Sequence, residues 1–137
     1  MFWMRKKPTP SAAGEETTAD RAGRLFDDGM NCTQSVLQAT TGVSDPQLLE
    51  MAEAFGGGVG DSKCLCGAVT GGVMALGLSG RGKLAGSLVA FFRQRNKVTC
   101  CASLSAKYRW MSSEHLANCR RLTVETAAET ARLLGKK

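Results

Sequence analysis

Six cysteines, Cys32, Cys64, Cys66, Cys100, Cys101 and Cys119, are the residues of this chain best suited to redox or metal chemistry. A thiolate attacks disulfides and binds soft metals, whereas a neutral buried thiol only packs. Their spacing is long. It is not the paired Cys-x-x-Cys of a zinc ribbon, a ferredoxin run or a haem-attachment sequence. Any common site must therefore be assembled by the tertiary fold.

The centre of the pattern runs from Phe55 to Leu78, where a glycine-rich turn delivers Cys64 and Cys66 to a segment of small and apolar residues. Gly56, Gly57, Gly58 and Gly67 would let backbone approach a cysteine site or a cofactor closely. The turn lacks the Gly-Lys-Ser/Thr of a phosphate loop, because Lys63 is followed by Cys64. Cys64-Leu65-Cys66 reads equally as a functional pair, redox thiols or two ligands, and as one functional thiol beside a bystander. At Cys100-Cys101, one functional cysteine with one bystander is preferred to a strained vicinal disulfide.

The elements that must position these residues read as helices. A first helix spans about 15–28 on Ala19, Ala22, Leu25 and Phe26 and stops at Asp28-Gly29. Asn31 caps a second, with Gln34 completing a capping box. Asp45-Pro46 starts a third on Leu48, Leu49, Met51, Ala52 and Phe55. Residues 66–78 form a buried central helix kept thin by glycines. Residues 83–96 form an amphipathic helix. The stretch 109–116 is irregular, with Trp110 and Met111 packed over the core and the single histidine, His115, at the surface. Asn118 caps a last helix that runs to about Leu134. With no convincing alternating strand pattern, the fold class expected is all-α, a compact multi-helix bundle with cysteines near helix N-termini. Residues 1–14 form a flexible tail and 15–137 a single domain.

Cys32, Cys66, Cys101 and Cys119 each fall near an expected helix start, where the dipole and free amides favour a thiolate. Arg120 and Arg121 beside Cys119 either lower its pKa or are surface charge.

Composition bounds the rest. Hydrophobic residues make up 43% of the chain and aromatics 6%, which favours a folded globule built on small side chains over a β-sandwich. No apolar run is long enough to cross a membrane, and Arg5, Lys6 and Lys7 interrupt any leader, so a cytoplasmic address is expected. Residues 1–61 carry a net charge of −4 and residues 62–137 a net charge of +10. The basic half lacks interleaved aromatics and reads as solvated surface; nucleic acid is not an expected partner. No serine–histidine–aspartate set or paired carboxylates point to hydrolysis. Phe91 and Phe92 lie on a face that is either core or the interface of a homo-oligomer.

The order Asn31-Cys32, Phe55-Gly56-Gly57-Gly58, Cys66-Gly67-Ala68-Val69-Thr70-Gly71, Leu76-Gly77-Leu78, Cys101 and Cys119 resembles the C_GCAxxG_C_C family of redox-active proteins over about residues 20–134. The resemblance implies that Cys32, Cys66, Cys101 and Cys119 are the site, as redox thiols without metal or as metal ligands. Cys64 and Cys100 are the alternates. Cys101 is preferred to Cys100 because Thr99-Cys100-Cys101-Ala102-Ser103-Leu104 is similar to the family's Thr-x-Cys-x-x-Leu. The family label places Gly before the cysteine, whereas Leu65 precedes Cys66 here, so Cys64 and Cys66 both stand for that role. A related domain of split-Soret cytochromes implies an iron–sulfur cluster as the cofactor. The function expected is electron transfer or thiol–disulfide exchange with an unidentified redox partner protein; the alternative is a zinc-binding structural or sensory module.

Overall fold

The computed structural model describes residues 16–137. The expected tail, 1–14, lies outside the described residues. Seven α-helices occur among them: α1 (Thr18–Asp27), α2 (Cys32–Thr41), α3 (Pro46–Glu53), α4 (Gly67–Leu78), α5 (Ala85–Asn96), α6 (Cys101–Leu104) and α7 (Ser113–Leu133). A single 3-10 turn, Gly82–Leu84, leads into α5. The all-α reading holds.

Local chemistry sets the boundaries. Thr17 opens α1 by accepting a hydrogen bond from the Asp20 amide. At α2 the capping box is complete: Asn31 Oδ1 accepts from the Gln34 amide at 2.9 Å, and Gln34 Oε1 accepts from the Asn31 amide at 3.1 Å. Gly42, at φ +74°, ends that helix. Asp45 and Pro46 start α3 as expected, although Met51 faces solvent rather than the core, being 51% exposed.

Helix α4 is the centre of the molecule and packs against α2, α5 and α7. It has no polar face because Gly67 through Gly72, Ala75 and Leu76 are all buried. A methyl group on Gly71 would strike the Thr33 carbonyl of α2; one on Gly72 would strike Leu88 of α5 and Thr130 of α7. Small residues thus set the interhelical spacing, and the cost of glycine in a helix, about 1 kcal/mol each, is offset by tight packing on several sides. Ala22, Val36, Ala39, Val69, Phe92, Leu122 and Ala127 fill the core around it.

Helix α7 lines the core with threonines. Thr123, Thr126 and Thr130 are fully buried, and each hydroxyl donates to the carbonyl four residues earlier at 2.7 Å. These bonds satisfy the hydroxyls locally, so polar side chains pack without partners on other helices. The helix begins at Ser113 with Ser112 as its cap, not at Asn118. The stretch read as irregular therefore contains its first turn.

Candidate functional site

Four segments bring cysteines to one cavity. Cys32 is the first residue of α2, and Cys66 stands at the N-cap of α4. Cys101 opens the short α6. Cys119 lies in the second turn of α7, so the expectation that all four sit at helix starts fails for this one. The error follows from the late start assigned to α7.

A short antiparallel bridge between Leu65 and Cys100 aligns two of the four. The Cys66 amide donates to the Thr99 carbonyl at 2.9 Å, the Cys101 amide to the Cys64 carbonyl, and the Ala102 amide to the Lys63 carbonyl at 2.9 Å. The pairing sets the start of α4 beside the start of α6. It also separates the paired cysteines: Cys66 is 6% exposed and lines the cavity, while Cys64 is exposed and does not. Cys100 likewise stays outside, its Sγ 3.4 Å from the Lys63 carbonyl.

The turn before the bridge is unusual. Gly57, Gly58, Val59, Gly60, Asp61 and Lys63 all have φ between +59° and +77°. Glycine adopts this region freely, but Val59, Asp61 and Lys63 do so at a cost of about 1–2 kcal/mol each. The turn passes so near α6 that a methyl group on Gly58 would lie 2.7 Å from Cys101 Cβ. Gly56, Gly57, Gly58 and Gly67 all line the cavity.

The cavity measures about 800 Å³. Cys32, Cys66, Cys101 and Cys119 share it with Phe26, Met30, Leu104, Trp110 and Leu122. Its polar lining is largely engaged within the protein. The Arg120 guanidinium grips Asp27 at 2.9 and 3.0 Å, and Asn31 donates to the Glu53 carbonyl.

Electrostatics tie the four thiols together. Burial pushes all four pKa values up, Cys119 to about 12. Mutual repulsion adds to burial: Cys101 acts on Cys32; Cys32 and Cys101 act on both Cys66 and Cys119. The thiolates expected at helix starts are thus disfavoured in the metal-free chain, because loss of water outweighs the help of nearby amides. Arg120 and Arg121 do not lower the Cys119 pKa either. Arg120 is engaged by Asp27, and Arg121 by Asn96, Asn118 and Glu125. Cys100 behaves oppositely: the Ser103 and Ala102 amides pull its pKa below the ordinary thiol value.

His115 is the functional candidate that the sequence reading placed wrongly. It is 2% exposed, not at the surface. Its Nδ1 accepts the Met111 amide at 2.9 Å; its Nε2 lies 3.1 Å from Ser105 Oγ and 3.5 Å from Cys119 Sγ. Trp110 packs on the ring with centroids 4.4 Å apart, and the Lys63 ammonium sits 4.4 Å over the indole. Met111, expected over the core, is 60% exposed. The i, i+4 spacing of His115 and Cys119 on a helix capped by Ser112 was the signal that could have found this contact.

Among the described residues, no three or more of His, Cys, Asp and Glu are arranged to hold a metal ion. The donor set nevertheless suits a soft, sulfur-bound group: four thiols, an apolar cavity and amides at the starts of α2 and α4. No helix among them is long and apolar enough to cross a membrane.

A comparison with family models matches residues 30–133 to "Putative redox-active protein (C_GCAxxG_C_C)". Neither the curated proteins nor the solved structures contain a match.

Proposed function

The chain belongs to the C_GCAxxG_C_C redox-active family, and from that premise we propose that Cys32, Cys66, Cys101 and Cys119 act as one electron-transfer site holding an iron–sulfur cluster. One observation carries this reading: the four thiols, brought from four separate segments, line a single cavity. Their raised pKa values argue against free nucleophilic thiols at neutral pH. A neutral buried thiol is a poor nucleophile at neutral pH, whereas metal binding removes its proton outright. The cluster would supply one-electron chemistry.

The chain's own residues do the rest. Phe26, Met30, Leu104 and Leu122 limit water around the sulfurs, and Cys66 caps the start of α4, the helix that packs against α2. The engaged Arg120–Asp27 pair keeps a full charge from facing the thiols alone. Gly58 leaves the room that Cys101 Cβ occupies, and Gly67 the room that Cys32 Sγ occupies. Electrons pass to or from a separate redox partner.

Anaerobic purification followed by iron, sulfide and zinc analysis with a visible spectrum tests the reading. Iron and inorganic sulfide with a reversible visible bleach support it. Stoichiometric zinc with unfolding on chelation supports the structural or sensory alternative instead. A colourless, metal-free protein that cycles between thiol and disulfide overturns both.

Thiol–disulfide exchange has one observation in its favour, the partly exposed Cys100 with its lowered pKa beside Cys101. In that chemistry the Cys100 thiolate attacks a partner's disulfide and one partner sulfur leaves as thiolate. A second thiol then displaces the other, leaving a protein disulfide and a reduced partner.

A further inference from the structure

We propose that His115 is a positioning residue of the thiol site: a neutral imidazole whose Nε2–H is shared between Cys119 Sγ and Ser105 Oγ. This role rests on the redox reading above but is carried by geometry independent of it.

The tautomer follows from the contacts. The Met111 amide can only donate, so the Nδ1 it meets at 2.9 Å must carry a lone pair. In a neutral ring the proton then resides on Nε2, which faces Ser105 Oγ at 3.1 Å and Cys119 Sγ at 3.5 Å.

The clamp is rigid on three sides. Ser112 accepts the His115 amide at 3.2 Å, which fixes the first turn of α7. Met111 adopts φ +66°, a strained conformation for a side-chain-bearing residue, and from it donates its amide to the ring. Trp110 covers the ring's face, with Lys63 on the indole. A histidine needed only for packing would not require both nitrogens to be aimed; here both are aimed, and one points at a sulfur. Donors to sulfur stabilise its more negative state and raise the reduction potential of the site it belongs to.

The test combines nitrogen-resolved NMR of His115 in the metal-free chain with redox titration of His115→Gln and His115→Leu in the loaded protein. The expected spectrum shows a protonated Nε2 and a bare Nδ1. A protonated Nδ1, or rapid averaging of both, overturns the proposal without any reference to a cofactor. In the titration, His115→Leu lowers the potential by an amount equivalent to about tenfold in the equilibrium constant, about 59 mV for one electron, and His115→Gln restores most of it. A folded His115→Leu variant with an unchanged potential overturns the role, since packing alone would alter thermal stability and not the couple. If His115→Leu does not fold, the same comparison is made with His115→Phe, whose ring keeps the packing and lacks the donor, and a potential equal to the parent protein's overturns the role. If the chain shows no redox couple at all, the electron-transfer reading fails, and the NMR result with a changed Cys119 Sγ–H environment in His115→Gln decides the hydrogen bond alone.

Discussion

Gly67 and Cys32 are packed so that one methyl group on the glycine would take the space of the Cys32 Sγ and the Thr33 hydroxyl. The start of α4 is thereby shaped around a sulfur of α2. Gly67→Ala should destabilise the protein by about 1–3 kcal/mol through overpacking, despite alanine's better helix propensity. Gly77→Ala, on the same helix with open space around it, should instead gain up to about 1 kcal/mol. Urea denaturation of both variants checks the pair; equal effects would mean that the Cys32 contact does not limit position 67.

Removing individual sulfurs should separate the six cysteines into two groups. Serine at Cys32, Cys66, Cys101 or Cys119 should abolish bound iron and the visible absorbance. Serine at Cys64 or Cys100 should leave both largely intact, because those side chains lie outside the cavity. Iron retained in Cys66→Ser but lost in Cys64→Ser would reverse the assignment.

Alkaline pH should weaken the metal-free chain. Cys119 is pushed up to about 12 and Cys66 also upward by burial, so the folded state holds these protons more tightly than the unfolded chain does. Their contribution is complete below the unfolded thiol value of about 8.5 and is lost as pH rises toward the folded values. The urea midpoint should therefore fall between neutral pH and about pH 10.5. Cys119→Ala should flatten that fall; an unchanged slope would remove Cys119 as a source.

The left-handed turn offers a stabilising change. Val59 has φ +68° and is 39% exposed, so its side chain gains little from burial. Val59→Gly should raise stability by about 1 kcal/mol, the relief of the left-handed penalty less glycine's added chain entropy. Thermal unfolding would show a midpoint a few degrees higher. A lower midpoint would show that the valine side chain is needed where it is.

How far the sequence reveals this molecule differs by element. Caps with short-range chemistry were readable: Asn31 with Gln34, and Asp45 with Pro46, start helices where those residues predict. Helix α4 was readable as buried because glycines four apart serve close packing. The start of α7 was not. Its first turn, Ser113-Glu114-His115-Leu116, presents only one aliphatic side chain and gives no apolar period, although Ser112 and Glu114 are proper start signals. That shift of six residues, from Ser112 to Asn118 as the cap, displaced Cys119 from the second turn to a helix start and left His115 in an imagined loop. The choice between Cys64 and Cys66 needed the Leu65–Cys100 pairing, a contact between segments distant in the chain that no local pattern encodes. The pKa directions were missed for a related reason: helix starts are visible in sequence, but the burial that overrides them depends on which helices close over the sulfurs.

The Leu65–Cys100 bridge also bears on the order of assembly. All of α4 and α5 lie between its two halves, so the ends meet only after that long loop has closed. Cys66 and Cys101 become neighbours late, as a product of the folded chain rather than a seed for it. Under the proposed cluster reading, the nascent chain presents no complete set of the four cysteines, and loading waits for the bundle to form.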